Sequence, residues 1–186
     1  MNLLTNRMAD TRKDPTIANI EAQINMSDDR WIQHIDLEKM THIVFSAAAQ
    51  ATIGNTADSY EVSILFCDDN RMSKINAKWR GVNKSTNVLS FPAAERNEIH
   101  GYRTLGDIAI AFETCQTEAE SYNIDFEDHV KHMLVHGFLH LLGYDHECDE
   151  DATEMEALEV SILSDMNVQN PYHQLVPDQE NKRDDG

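Results

Sequence analysis

The stretch that most constrains this chain is HGFLHLLGYDH, residues 136–146. At about 100° per residue, His136 and His140 project from the same face of a helix. Met133, Leu134, Leu139 and Leu142 give that helix an apolar back, so it must lie on a core with its histidines in front. Gly143 stands three residues after His140, where a helix stops through a left-handed residue. A turn there brings His146 to the same point. The spacing H-x-x-x-H-x-x-G-x-x-H is that of a metzincin site and predicts His136, His140 and His146 as ligands of one zinc ion. Nickel or copper accept similar ligands. Three neutral imidazoles leave the ion its charge and an open fourth position, as in catalytic rather than structural zinc. An ion so held lowers the pKa of bound water to roughly 7.

The residue between the first ligands is equally informative. A metalloprotease of this type reads H-E-x-x-H, with the glutamate as general base, and here position 137 is glycine. The base must come from elsewhere, which counts against proteolysis. His129 and His132 fall near the same helix face. His132 is two turns, about 12 Å, from His140, and no turn follows to supply it a third ligand. Both are expected to face solvent or to bond the ligating groups. Cys148 reads as an ordinary thiol, and His34, His42, His100 and His173 have no partner pattern.

Three cysteines, odd in number and never in a C-x-x-C pair, argue for a reducing compartment. No apolar run approaches the ~20 residues of a membrane span, and MNLLTNRMADTRKD lacks the apolar centre of a signal peptide. A cytoplasmic protein without a membrane partner is expected. The net charge of −18 is unevenly spread. Between Arg71 and Thr104 seven basic residues face two acids, whereas Glu113–Asp165 holds fifteen acids and one lysine. Local potential, not net charge, steers a ligand into a cleft. The basic stretch reads equally as an anion-binding surface or as a solvated helix face.

Apolar alternation and capping signals predict strands at TIANIEAQIN, YEVSILFCD, NVLSFP and LGDIAIAFET. Helices are expected from Asp36 to about 52, from Asp69 to Gly81, and at about 114–122, 127–142 and 150–166. Strands early and helices late indicate an α+β fold: one domain over 16–172, a mixed sheet of about four strands, and the metal-bearing helix in the C-terminal half. Residues 1–15 and 173–186 are polar and read as disordered ends.

HGFLHLLGYDH resembles the signature of the YbeY family, bacterial metalloproteins regarded as single-strand-specific endoribonucleases of rRNA maturation. NAKWRGVNKSTNVLSFP, LGDIAIA, DEDATEMEALEVSIL and the closing NPY match in the same order, over roughly residues 17–172. The resemblance implies zinc on His136, His140 and His146, catalytic roles for His136 and Arg80, and an α+β fold. It also implies ribosomal RNA near the 3′ end of the small-subunit rRNA as substrate, the ribosome or its assembly factors as partners, and no DNA. One position departs: Asn87 stands where the family usually has aspartate, which puts an acidic role there in doubt.

Beside that resemblance, the residues keep their own readings. The guanidinium of Arg80 suits the non-bridging oxygens of a phosphate. Lys78 and Lys84 can follow an RNA backbone or be plain surface, and Trp79 reads as core rather than as a stacking platform. Asp107, in an apolar strand, either accepts the second ring N–H of a ligating histidine or marks a turn or edge. Attack on phosphorus can come from metal-activated water or from the RNA's own 2′-hydroxyl. The leading expectation is a zinc-dependent endoribonuclease. The alternatives are a ribosome assembly factor with a mainly structural metal, and a metal-dependent hydrolase of another substrate.

Overall fold

In YEVSILFC every second residue is apolar, and Tyr60, Val62, Ile64 and Phe66 are buried accordingly in strand β2 (Ser59–Cys67). A computed structural model describes residues 18–56, 58–94, 98–99 and 102–172, and β2 lies near the middle of its sheet. β1 (Asn19–Met26) and β5 (Tyr102–Ala111) flank β2, both parallel to it. β3 (Val88–Pro92) runs antiparallel to β5 at the outer edge, giving the order β1-β2-β5-β3. A two-residue β4 (Glu98–Ile99) pairs with the start of β5, one short strand more than the sequence predicts. The expected ends at 1–15 and 173–186 lie outside the described residues.

The helices divide between the two faces of the sheet. α2 (Leu37–Thr52) is capped by Asp36, whose carboxylate accepts the Lys39 N–H, and buries Met40, Val44 and Phe45. It packs with α5 (Phe126–Leu142) against Ile64, Ile108 and Ile110, and α6 (Asp149–Asp165) leans on α5. α3 (Asp69–Arg80) covers the opposite face, over a smaller core of Met72, Leu89, Ala109 and Ala111. Strand alternation decides the assignment: Ile108 and Ile110 face α5, and Asp107, Ala109 and Ala111 face α3.

Two elements differ from expectation. LGDIAIAFET does not stay extended, because α4 (Phe112–Tyr122) begins directly after Ala111. A single-turn α1 (Arg30–His34) was not predicted. It is held by Trp31, fully buried against Phe66 and Phe112, with its ring N–H donated to the Cys67 carbonyl at 3.1 Å. Among the described residues, no helix is long and apolar enough to cross a membrane.

Candidate metal centre

The histidine helix is α5, capped by Asp125 and buried through Val130, Leu134, Phe138 and Leu139. At Gly137 it lies directly against the sheet. A Cβ there would lie 3.1 Å from Ser90 Oγ and 3.2 Å from Ile108, and the Gly137 carbonyl accepts the Ser90 hydroxyl at 3.1 Å. A side chain at 137 would run into the sheet rather than toward the histidines, so the position offers no catalytic carboxylate. The helix then stops at Gly143, whose φ of 98° is left-handed. The N–H of Tyr144 bonds back to the Leu139 carbonyl at 3.1 Å, and the chain folds over to present His146.

One ring nitrogen from each of His136, His140 and His146 lies within 4.8 Å of the others. His136 Nδ1 bonds Glu159 Oε1 at 2.8 Å, and His140 Nδ1 bonds the Tyr144 carbonyl at 2.9 Å. Both partners only accept, so both Nδ1 atoms carry the proton of a neutral ring. The two Nε2 lone pairs then face each other at 3.0 Å, an arrangement that a cation relieves. Burial, and then the neighbouring His136, hold His140 below the usual histidine range, toward the neutral form that ligates. The donor set therefore fits a divalent metal held by imidazoles.

Glu159, in α6, is completely buried behind these rings. Its carboxylate accepts from His136 through one oxygen and, through the other, from His132 Nε2 at 3.0 Å and from the Tyr172 hydroxyl. Burial alone would raise this carboxyl, but the bonds from His132 and His136 outweigh it and hold it at about 2. Burial, and then Glu159, push the Tyr172 hydroxyl far above the usual tyrosine value, so it stays protonated and donates.

The acceptor role considered for Asp107 thus falls to Glu159. Asp107 is exposed on the α3 face of the sheet, opposite Phe91 and Ser63, and points away from the histidine helix. His129 and His132 do not face solvent. His129 is buried and bonds Glu118 Oε2 at 2.8 Å, while His132 shares Glu159 with His136. Cys148 is exposed at the head of α6 and is not among the grouped ligands.

A cleft of about 720 Å³ opens over the three histidines, and Arg80, Asn87, Ser90 and Asp145 also line it. Arg80 is the last residue of α3, placed there by the left-handed Gly81 (φ 72°) that ends the helix. Lys78 and Lys84 are exposed and do not line it. Trp79 is not core: it is 63% exposed. Asn87 has a partner suited to an amide. Its Nδ2 donates to Glu118 at 3.0 Å while its Oδ1 accepts the Val88 N–H at 2.7 Å. An aspartate would set a second carboxylate against Glu118. Burial raises Glu118, yet the bonds from His129 and Asn87 leave it below the ordinary glutamate range.

Glu159, Tyr172 and Glu118 escaped the sequence reading as site residues. A signal existed for Glu159, which falls in the buried stripe Met155, Glu159, Ile162 of α6, a position an unpartnered carboxylate does not occupy.

Residues 20–167 match the family profile described as Endoribonuclease YbeY. The protein of that name from Bradyrhizobium sp. (strain BTAi1) is 43% identical over 154 residues, covering 81% of this chain and 90% of its own length. That of Rhizobium etli is 43% identical over 84% of this chain and 95% of its own. That of Bartonella henselae is 54% identical over 62% and 73%. In fold, the chain is similar to the solution structure of TM1509 from Thermotoga maritima, with a TM-score of 0.52 at 20% identity, over 87% of this chain and 100% of that one.

Proposed function

The chain belongs to the endoribonuclease YbeY family, a family of RNA-cleaving hydrolases, and from that premise we propose a zinc-dependent, single-strand-specific endoribonuclease that matures the 3′ end of small-subunit rRNA. The observation that carries this reading is the cleft itself, where three imidazoles and one arginine converge. When bound by His136, His140 and His146, the metal supplies Lewis-acid stabilisation of charge on a phosphodiester. Glu159 fixes the tautomer and direction of His136, and the Tyr144 carbonyl does the same for His140. Arg80 offers its planar fork to the non-bridging oxygens, where charge gathers as the P–O bond breaks. Gly137 leaves no room for a protease's base, so the proton acceptor belongs to the substrate, to solvent or to the cleft rim, where Asp145 and Glu147 stand. Lys78 and Lys84 serve as contacts for the RNA backbone.

A chain of net charge −18 repels free RNA except at its basic segment. We infer that the substrate is met in the cytoplasm on the ribosome or an assembling subunit, where partner proteins position it and where cleavage also serves quality control.

The test is cleavage of a single-stranded fragment spanning the rRNA 3′ end. Chelation should abolish cutting and added zinc restore it. Arg80→Ala should lose about 10²–10³-fold in kcat while keeping its metal. Cutting by metal-free protein, or an Arg80→Ala variant as active as wild type, would overturn the proposal.

A further inference from the structure

On the face of the sheet opposite the histidines lies a larger groove, of about 930 Å³. Arg71, Ile75 and Trp79 of α3 form one wall, with Phe91, Pro92 and Asp107 of the sheet below. Ser90 and Pro92 line both this groove and the metal cleft, and their strand, β3, is at the outer edge of the sheet. The two depressions are therefore the two sides of one edge strand. Consecutive residues at the end of α3 serve them: Arg80 lines the metal cleft and Trp79 the groove.

The indole of Trp79 is 63% exposed, with the Phe91 ring centroid 5.7 Å from its own and Lys78 Nζ 4.9 Å away. Helix α3 carries Arg71, Lys74, Lys78 and Arg80 against the single acid Asp69, in a chain that is otherwise strongly acidic. A polyanion is tolerated along this helix and few other places. Asp107, the acid among the described lining residues, repels phosphate from the groove floor. The groove thus suits the base of a nucleotide, with its phosphates left to Lys78 and Arg80.

We propose that Trp79 is a stacking platform for a base of the single-stranded RNA next to the cleaved bond, the strand crossing Pro92 between groove and metal cleft. This rests on the ribonuclease reading and adds a base-binding subsite to it. Aromatic platforms of this kind accept any base, because each has a π-face.

The test uses the full chain and a six-nucleotide single-stranded RNA at low ionic strength. Binding is followed by anisotropy of a labelled strand and by tryptophan emission. Trp31 is fully buried, so RNA should quench the emission of Trp79, and Trp79→Phe should remove that quenching. Trp79→Ala should weaken binding about tenfold and Trp79→Phe much less. Saturated anisotropy with unchanged emission would overturn the platform, and so would Trp79→Ala binding as tightly as wild type. Either result leaves the ribonuclease reading standing. A wild type that neither binds nor cuts RNA would overturn both.

Discussion

Taking the carboxylate charge from Glu159 would leave one oxygen to accept from His136, His132 and Tyr172 together, in a pocket closed to water. Glu159→Gln keeps the volume but sets an amide N–H₂ against a donor, so one ring must turn away or change tautomer. If that ring is His136, its metal-facing nitrogen is no longer aimed. Glu159→Gln should therefore bind zinc about 10–100-fold more weakly, measured by competition with a chelator, with its secondary structure unchanged. Equal affinity would show that α5 alone orients the ring. At this scale the histidine cluster was legible, because residue type and spacing suffice to bring three imidazoles together. Their supports were not. Glu159 reaches His136 from a different helix, 23 positions along the chain, and no local pattern encodes a contact across α5 and α6. Trp79 was misplaced for a related reason: helical periodicity puts it near the apolar stripe, but α3 covers only a small core and leaves its last turn in water.

At the scale of elements, the site depends on how closely β3, β5 and α5 approach one another. Two glycines set that distance. Gly137 lets α5 settle on Ser90 and Ile108. Gly106, at a φ of 141°, lies where the pairing of β2 and β5 slips by one residue, so that Glu61 faces Thr104 and Val62 faces Gly106. A Cβ at Gly106 would fall 2.2 Å from the Phe91 carbonyl oxygen and 3.0 Å from the Ala93 nitrogen, both backbone atoms that cannot step aside. Gly106→Ala should lower the unfolding free energy by at least about 2 kcal/mol, read from denaturant unfolding. A change below 0.5 kcal/mol, in the range of an ordinary surface substitution, would mean that β3 can move off β5. Most elements were readable because alternation and capping are local: Asp36, Asp68 and Asp125 each accept the N–H three residues on. α1 was not, since five residues hold their turn only through the aromatic cluster around Trp31. The end of β5 was not either, because Phe112 continues the apolar run that precedes it.

Across the whole molecule, charge and architecture act together. The basic helix α3 sits on one face of the sheet and the acidic α6 stands behind α5 on the other. The metal cleft opens at the sheet's edge, where Arg80 from one layer meets three histidines from the other. Residues 80 and 136–146 are far apart in the chain, and they reach one cleft across the edge where β3 pairs antiparallel with β5. Family resemblance, and no periodicity, singled out Arg80 beside the histidines, and the pairing of β3 with β5 was not legible in the sequence at all. The central claim is that this convergence exists to hold a metal. It is tested most directly by elemental analysis of the purified wild type beside His140→Ala, both shown to be folded. The account expects one equivalent of zinc per wild-type chain and none in the variant. A well-folded wild type that takes up no divalent metal would contradict it.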